Sequence, residues 1–351
     1  GLPLGRRIEY EGLPIYFFAR FSPPIPAVRE FAFSGAFTTW LWQNITKYDL
    51  VHVHALFSYT STVAMAIASM RGVPYLTTAH GALREWSLQH KPQKKQAYLR
   101  LIERANIDRA AAIHVTCQQE RDELIALDFQ APSFILPLAL TEIPAQIPEA
   151  AQRLRHSFKC PDDEPIILFL SRLHYQKGLD YLIPALGRCR DRRFTLIVAG
   201  SGTPAYEAEV REMLATAQIA DRTHMVGFVD GDRKALLLQG ADLFALTSTS
   251  ESFGMAVLEA LVVETPVLVT ASVGLATVVR DRDLGYVANL DIDDITRSLD
   301  EFFSDPNRAR AIGARARQYT LSHYTWDKIA PALIAIYRSI IDRQPLPPAI
   351  E

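Results

Sequence analysis

Short apolar runs of strand length alternate with helical stretches along almost all of this 351-residue chain, and this alternation constrains the fold more than any other feature. Three of the clearest runs are DLVHVH (49–54), PIILFLS (165–171) and DLFALTS (242–248). Strands that alternate with helices form βαβ units, in which parallel strands are covered on both faces and are therefore apolar along their length. The sequence predicts an α/β protein built on parallel sheets.

The strand pattern occurs twice, with a break between the two halves. The first half contains the runs LPIYFF, DLVHVH, VPYLTT, AAIHVT and SFILP, and the second contains PIILFLS, FTLIVAG, THMVGF, DLFALTS and PVLVT. Residues 141–165 between them lose the pattern and carry four prolines. We expect two doubly wound Rossmann-like domains facing a cleft. The expected ranges are 1–145 for the first domain, 146–164 for a linker, 165–322 for the second domain, and 323–351 for a closing segment whose helix crosses back to the first domain.

The composition excludes several classes of protein. A net charge of −2 gives no reason to expect a nucleic-acid partner. The three cysteines are too widely spaced and odd in number to form a metal or disulfide framework, so we expect a reducing compartment, the cytoplasm. No apolar run reaches the roughly 18 residues of a spanning helix, and no signal peptide is visible. The opening GLPLGRRIEYEG resembles the interior of a domain, and we expect that an amino-terminal strand and loop are missing.

Polar clusters follow three strands of the second half: SRLHYQKG, GSG and STSESFG. Ligands of parallel sheets bind beyond the carboxyl ends of the strands, so these clusters are expected to converge at one edge. Arg172 and Lys177 bracket a loop that opens a helix, which suits a phosphate or diphosphate; the alternative is a solvated loop. Gly200 and Gly202 would let the backbone approach a ligand, although a GSG sequence alone mostly indicates a turn.

The stretch ESFGMAVLEAL places Glu251 before a helix and Glu259 on it. The helix is expected to begin near Gly254, where free N–H groups favour phosphate oxygens. A single ligand that touches both carboxylates must be long, with hydroxyls at each end and negative charge between them. A nucleotide sugar fits that description. The alternative is a helix-capping carboxylate at 251 and a surface glutamate at 259.

Several other polar residues have more than one interpretation. His80 ends the run PYLTTAH and would face the cleft from the first domain, although a lone histidine is more often structural. His52 and His54 alternate on one strand and are interpreted as packing or hydrogen-bonding residues. Asp230 precedes the helix DRKALLLQ, and we interpret it as an N-cap rather than as part of a metal-binding DxD.

In their order along the chain, SRLHYQKGLDYLI, LIVAGSG, VGFV and ESFGMAVLEAL resemble the retaining glycosyltransferases of the GT-B fold, family four, also called group 1. DLVHVHALF, VPYLTTAHGAL and ERANIDRAAAIHVTCQQE match more loosely, so the resemblance covers nearly the whole chain. It implies a hexosyltransferase that moves a sugar from a UDP- or GDP-linked donor to a hydroxyl, in polysaccharide or glycolipid biosynthesis. The resemblance also implies no metal and no cofactor, with retention by same-face attack.

The resemblance assigns roles to individual residues. Arg172 and Lys177 would bind the diphosphate, Glu259 the ribose hydroxyls, and Phe228 would lie beside the base. His80 and Glu251 would act at the transferred sugar. The remaining donor-binding residues would contribute mainly backbone: Gly200, Gly202, Phe253, Gly254 and Met255.

The sequence departs from the family pattern at three places: PLAL (137–140), ETP (264–266) in place of Gly-x-Pro, and ASVGLATVV (271–279) in place of a Gly-Gly stretch with a glutamate. The family's glycine-rich loop after its first strand is also absent from this sequence. These differences concern the positioning of the sugar and the acceptor more than the binding of the diphosphate.

A basic segment, residues 84–109, includes Lys91, Lys94, Lys95, Arg100 and Arg104, with Trp86 and Tyr98 among them. It could rest on the inner face of an anionic membrane, as some relatives with lipid-linked acceptors do, or form a solvated helix face.

Two other functions remain open at the level of the sequence. One is a sugar-nucleotide epimerase or a phosphorylase on a similar fold. The other is a non-catalytic relative that binds the nucleotide sugar only.

Overall fold

A computed structural model describes residues 3–25, 29, 31–89 and 92–347. The chain divides into two compact units, Gly1–Pro137 with Ala330–Glu351, and Leu138–Ile329. Each unit contains one parallel sheet with helices packed against it. The division lies after Pro137, earlier than the predicted domain end at residue 145, and the tail from Ala330 groups with the first unit.

The first unit is built on a four-stranded parallel sheet whose strands are neighbours in chain order. The strands are β3 Val51–His54, β4 Tyr75–Thr78, β5 Ala112–Val115 and β6 Ser133–Ile135. The described helices of this unit before the tail are α1 Gly35–Asn44, α2 Tyr59–Arg71, α3 Glu85–Gln89, α4 Pro92–Tyr98, α5 Arg104–Asp108 and α6 Gln118–Ile125, with a 3-10 turn at Ile45–Lys47 and a π turn at Leu99–Glu103. All four predicted strands from 49 to 137 are present in this sheet.

The prediction that residues 13–18 form a strand of the first parallel sheet was wrong. Leu13–Tyr16 (β2) pairs in antiparallel fashion with Arg7–Tyr10 (β1) and forms a separate hairpin. Its two-residue loop, Glu11 and Gly12, has positive φ at both positions (50° and 76°). This backbone matches the twist of a tight hairpin and brings the two strands directly together.

The second unit is built on a six-stranded parallel sheet in the order β12-β11-β10-β7-β8-β9. The strands are β7 Ile166–Leu170, β8 Thr195–Ala199, β9 Thr223–Gly227, β10 Leu243–Leu246, β11 Val267–Thr270 and β12 Gly285–Ala288. The first five were predicted, and β12 was missed because it is a short edge strand that begins with glycine and is only half buried. The strand order reverses between β7 and β10, which is the switch point where ligands of such sheets bind.

Helices cover both faces of this second sheet. They are α7 Ala150–Phe158, α8 Leu179–Arg188, α9 Pro204–Thr216, α10 Gly231–Gly240, α11 Met255–Val262, α12 Ala276–Asp281, α13 Ile292–Ser304 and α14 Pro306–His323, with 3-10 turns at Tyr175–Lys177 and Ala220–Arg222. In α13 the residues Ile295, Leu299 and Phe302 recur at helical spacing and are buried. The Asp291 carboxylate caps this helix by accepting from the N–H groups of Asp293 and Asp294.

The segment predicted as a linker contains α7, which packs into the second unit. Leu154 on this helix is buried, and a Cβ at Gly240 would lie 2.7 Å from the Leu154 Cβ. Residues 138–164 therefore group with the second unit rather than forming a free connection. The tail forms α15 Trp326–Ile341, in the region where a helix was expected.

No helix within the part of the chain that the structure describes is long and apolar enough to cross a membrane.

Glu264 occupies a backbone position that favours glycine. It follows α11 with φ of 70°, donates its N–H to Leu261 O at 3.2 Å, and is followed by a bond from Thr265 N to Ala260 O at 3.1 Å. This is the left-handed position that closes a helix and that an L side chain adopts at a cost.

Substitution of Glu264 by glycine is expected to raise the free energy of unfolding of the second unit by about 0.5–1 kcal/mol, since relief of the left-handed conformation exceeds the entropic cost of glycine. Urea denaturation followed by circular dichroism measures the change. Glu212→Gly, in the interior of α9, is the matched control and should be destabilising by about 1 kcal/mol. If both variants lose stability equally, the conformational argument at 264 is wrong.

Candidate functional site

The loops that follow β7 and β10 are joined by hydrogen bonds at the switch point of the second sheet. The Thr249 N–H donates to Gln176 O at 2.9 Å, and the Gln176 Nε2 donates to Ser250 O at 2.8 Å. The Thr247 hydroxyl donates to Gly178 O at 2.7 Å. The two polar clusters predicted from the sequence, SRLHYQKG and STSESFG, are therefore brought together.

Glycines permit this close packing of loops. Gly178 has φ of 74°, and a Cβ there would lie 1.8 Å from Thr247 O. Gly200 has φ of 138°, and its Cβ would lie 1.8 Å from Ser171 O; a Cβ on Gly202 would lie 2.5 Å from Leu173 O. Gly200 and Gly202 thus let the loop after β8 pack against the loop after β7. Their contact with a donor stays a prediction.

Two cations of the predicted anion site differ in their surroundings. The Lys177 ammonium pairs with the Glu251 carboxylate, and both side chains are mostly buried. Arg172 is exposed, and within the described residues no hydrogen bond or ion pair involves its guanidinium. An anion entering here would meet one available cation and one that is already neutralised by a carboxylate.

The segment from Glu251 to Phe253, which precedes helix α11, is held by backbone hydrogen bonds to residues 272–275. The Glu251 N–H donates to Ser272 O at 3.1 Å, and Leu275 N–H donates to Phe253 O at 3.1 Å. Phe253 is buried, with only 2% of its surface exposed, so its contact with a donor stays a prediction. Gly254, with φ of 102°, is the N-cap. The N–H groups of Met255 and Ala256 precede the first bond of the helix, which the Val257 N–H donates to Gly254 O at 2.9 Å.

Glu259 on α11 pairs with Lys234 on α10, with Nζ and Oε1 2.7 Å apart. The sequence analysis did not identify Lys234. No local spacing could have indicated it, because the two residues are 25 positions apart and lie on different helices. Phe228, in the loop after β9, is 72% exposed, which is unusual for a phenylalanine and leaves its ring available for stacking.

The prediction that Asp230 stands at the N-cap of a helix is confirmed for its position. Asp230 does occupy the N-cap position of α10, but its side chain makes no capping hydrogen bond among the described residues. Across the same residues, no group of three or more His, Cys, Asp or Glu side chains is arranged to hold a metal ion.

In the first unit, His80 lies in a tight turn at the carboxyl end of β4. The Ala82 N–H donates to Ala79 O at 3.0 Å, and the two central residues, His80 and Gly81, have φ of 48° and 75°. The His80 ring stacks beside His54, with Nε2 3.0 Å from His54 Nδ1.

Four imidazoles, those of His52, His54, His80 and His114, form a histidine cluster on the first sheet. His114 Nε2 donates to Leu136 O at 2.7 Å. If the rings are neutral, His114 Nδ1 must then accept a hydrogen bond, so the Thr78 hydroxyl donates to it at 2.9 Å. The same hydroxyl oxygen therefore accepts from His52 Nε2 at 2.7 Å. The Tyr337 hydroxyl of α15 then donates to His52 Nδ1 at 2.6 Å. The interpretation of His52 and His54 as hydrogen-bonding residues is confirmed.

Burial keeps these rings neutral. Burial, together with the smaller effects of the neighbouring His54, His114 and His80, lowers the pKa of His52 to about 3. Burial is also the main cause that lowers the pKa of His54, His80 and His114, whereas the Glu120 carboxylate raises that of His80 and His114. The cluster is a polar network that does not accept protons readily.

This cluster should make the protein labile to acid. His52 has a lower pKa folded than unfolded, so the unfolded chain takes up the proton first, and stability falls as the pH drops from 6.5 toward about 3. At pH 5 the expected loss from His52 is about 2 kcal/mol. The melting temperature measured from pH 7.5 to 5 should fall less steeply in His52→Gln than in the natural protein. His156→Gln, which removes an exposed imidazole of the second unit, is the control and should keep the natural slope. Equal slopes in all three proteins would contradict the prediction.

Several cations of the basic segment at 84–109 are used within the first unit. Arg84 is buried and pairs with Glu123 at 2.8 Å. Lys95 donates to Ser87 O at 2.8 Å. Arg104 donates to Leu127 O at 2.6 Å, whereas Lys91 lies outside the described residues.

Comparison with known proteins bears on both units. The sequence model of the glycosyl transferases group 1 matches residues 151–319, and that of the glycosyl transferase 4-like domain matches residues 3–138. An uncharacterized glycosyltransferase of Methanocaldococcus jannaschii is 28% identical over 310 residues, which cover 84% of this chain and 76% of that protein.

Two solved structures share the fold. Sucrose-phosphate synthase from Thermosynechococcus elongatus superposes with a TM-score of 0.80 at 21% identity, over 96% of this chain and 86% of that one. HepE of Anabaena, solved in complex with UDP and glucose, superposes with a TM-score of 0.76 at 18% identity, over 93% and 87% of the two chains. The predicted GT-B fold is confirmed.

Proposed function

The chain belongs to the group 1 glycosyl transferases, and from this premise we propose that it moves a sugar from a nucleotide-sugar donor to a hydroxyl with retained configuration. One observation carries the proposal. The loop with Arg172 and Lys177, the carboxylate of Glu251 and the amino-terminal end of α11 all lie at the switch point of one parallel sheet.

The diphosphate of the donor would bind between the two cations and the helix end. An incoming phosphate would meet Arg172 directly and would compete with Glu251 for Lys177. Displaced from Lys177, the Glu251 carboxylate would be available to accept from a hydroxyl of the donor sugar. Binding of the donor would thus exchange one internal ion pair for two charge-assisted contacts.

The reaction would proceed without a metal. The bond between the anomeric carbon and the phosphate oxygen breaks while the acceptor oxygen bonds to that carbon from the same face. The acceptor proton passes to the departing phosphate, whose negative charge is stabilised by Arg172, Lys177 and the N–H groups at the start of α11. His80 of the first unit would contact the transferred sugar.

The nucleoside end would extend toward Glu259 and Phe228. Glu259 would accept from the ribose hydroxyls, with Lys234 holding its carboxylate in place at 2.7 Å. The exposed Phe228 ring would stack on the base. HepE of Anabaena, which shares the fold, was solved with UDP and glucose, and this favours a uridine donor over a guanosine donor.

Family membership favours transfer over epimerisation, which would isomerise the donor without an acceptor. A relative that only binds the nucleotide sugar would bind UDP, but it would release no UDP from the donor with any acceptor. Glycan assembly, in polysaccharides or glycolipids, is the proposed context.

The site predicts opposite effects for two sets of substitutions. Arg172→Ala with Lys177→Ala should weaken UDP binding at least about a hundredfold, since two contacts of about 1.5–3 kcal/mol each are lost. Glu251→Ala should abolish transfer yet leave UDP affinity unchanged or up to about fivefold tighter, because Lys177 is released. Calorimetry with UDP and GDP measures binding, and proton NMR of the product reports the anomeric configuration.

Arg193→Ala is the matched control for the double substitution. This arginine is exposed on the same unit and pairs with Asp163, away from the loops of the site. It should leave UDP binding as it is. Unchanged affinity in the Arg172/Lys177 variant would refute the diphosphate site, and a product of inverted configuration would refute retention.

A peripheral contact of the first unit with an anionic membrane, at its inner face, is the remaining part of the proposal. Lys94 and Arg100 are exposed, and Leu101 between α4 and α5 is 81% exposed. This pairs an apolar anchor with cations, as interfacial segments do. Because Arg84, Lys95 and Arg104 are used internally, the contact would rest on fewer cations than the sequence contains.

Sedimentation with vesicles tests this contact. The protein should sediment with vesicles that contain phosphatidylglycerol more than with pure phosphatidylcholine, and less at high salt because the attraction is screened. The double variant Lys94→Glu with Arg100→Glu should sediment equally with both kinds of vesicle. The variant Arg190→Glu, on the second unit, should still prefer the vesicles that contain phosphatidylglycerol. Equal sedimentation with both kinds of vesicle would remove the membrane from the proposal.

A further inference from the structure

Glu120 is a buried carboxylate that joins the ends of two neighbouring strands. It lies on α6 after β5 and is 4% exposed. One oxygen, Oε2, accepts from the N–H and the hydroxyl of Thr116 at 2.8 and 2.9 Å. The other, Oε1, accepts from the Gly81 N–H at 2.9 Å. Both oxygens therefore have backbone donors, which accounts for a carboxylate in this position.

The bond to Gly81 reaches the turn that carries His80. His80 and Gly81 both have positive φ, and for His80 this is a conformation that L residues adopt at a cost and keep only when the surroundings impose it. The Glu120 carboxylate supplies one such constraint from helix α6, 39 positions along the chain. The His54 ring supplies a second, since its Nδ1 lies 3.0 Å from His80 Nε2.

We propose that Glu120 is a positioning residue for His80: by holding the Gly81 N–H, it fixes the turn that presents the His80 ring. This inference rests on the proposed function, in which His80 contacts the transferred sugar. With Nε2 engaged by His54, Nδ1 is the ring nitrogen of His80 that has no partner among the described residues. The hydrogen bond from the Gly81 N–H to Glu120 fixes the direction in which that nitrogen points.

An ordinary capping role accounts for only half of the contacts. A carboxylate in the first turn of a helix often accepts from the backbone just before the helix, as Oε2 does from Thr116. The bond from Gly81 to Oε1 adds nothing to that cap. The negative charge also acts on His80 directly, since Glu120 raises the pKa of His80 against the larger lowering by burial.

The test separates the two halves of the contact. Glu120→Gln keeps the shape of the side chain but has only one accepting atom. That oxygen should keep the two donors of Thr116, so the NH2 faces the Gly81 N–H and the bond to Gly81 is lost. We expect kcat for UDP release from UDP-glucose to fall about 10- to 100-fold with the KM for donor within about twofold, because misplacement affects the reacting geometry more than binding. Thr116→Val, which removes one Oε2 bond and keeps the Gly81 bond, is the matched control and should keep kcat within about twofold.

A double-substitution cycle with His80 decides whether Glu120 acts through that residue. In a His80→Ala background, Glu120→Gln should change kcat less than about twofold; a full additional loss overturns the proposal. If His80→Ala itself transfers sugar normally, the role of His80 in the proposed function is refuted. The hydrogen exchange of the Gly81 amide, measured by NMR, then still decides whether Glu120 holds the turn.

Hydrogen exchange followed by NMR gives a readout that needs no activity, and its first part uses the natural protein. In the natural protein the Gly81 amide should be protected from exchange, and Glu120→Gln should speed its exchange about tenfold or more and shift the His80 ring signals. Rapid exchange of Gly81 in the natural protein, or unchanged exchange and ring signals in a folded Glu120→Gln, overturns the proposal whatever the activity.

Discussion

The neighbourhood of β7 and β10 in the second sheet is the constraint from which the proposed donor site follows. All six strands are parallel, so their following loops emerge at one edge of the sheet. The strand order reverses between β7 and β10, and ligands of such sheets bind beyond the carboxyl ends of the strands at this point. Gly178 lets the two loops approach so closely that a Cβ would overlap Thr247 O. Lys177 and Glu251, which belong to different loops, thereby meet as an ion pair. A ligand that replaces this pair must bring an anion for the lysine and a hydroxyl for the carboxylate, and a nucleotide sugar brings both.

The first unit uses buried polar groups differently. Glu120 holds two strand ends, and the chain from Tyr337 through His52, Thr78 and His114 to Leu136 O satisfies every ring nitrogen along it. Buried polar groups are costly unless they are paired, and complete pairing specifies one arrangement of the elements that carry them. His52 in this cluster is expected to make the protein labile to acid, whereas Glu120 and His54 contact the turn that carries His80. Stability and the geometry of the proposed reaction therefore both involve buried polar groups of this unit.

Much of the fold could be predicted from the sequence because its signals are local. The apolar runs gave nine of the ten predicted strands their place in a parallel sheet, since strands buried on both faces must be apolar throughout. The run at 13–18 was misplaced because its pairing depends on the turn at Glu11 and Gly12 rather than on its own composition. The edge strand β12 was missed because only part of it is buried. At Glu264, the sequence shows a residue where the family has glycine, but only the structure shows its left-handed backbone.

The sequence by itself determined the α/β class, the two parallel sheets, the helix that begins after Gly254, and the residue types that converge on the edge of the second sheet. These follow from periodicity and from the rule for parallel strands, which need no knowledge of distant contacts. Only the tertiary structure decided the partners: Lys177 with Glu251, Lys234 with Glu259, and Glu120 with Gly81. Such pairs join residues that are 25 to 74 positions apart, and the distance between them is set by the packing of whole helices and loops, which no local spacing encodes.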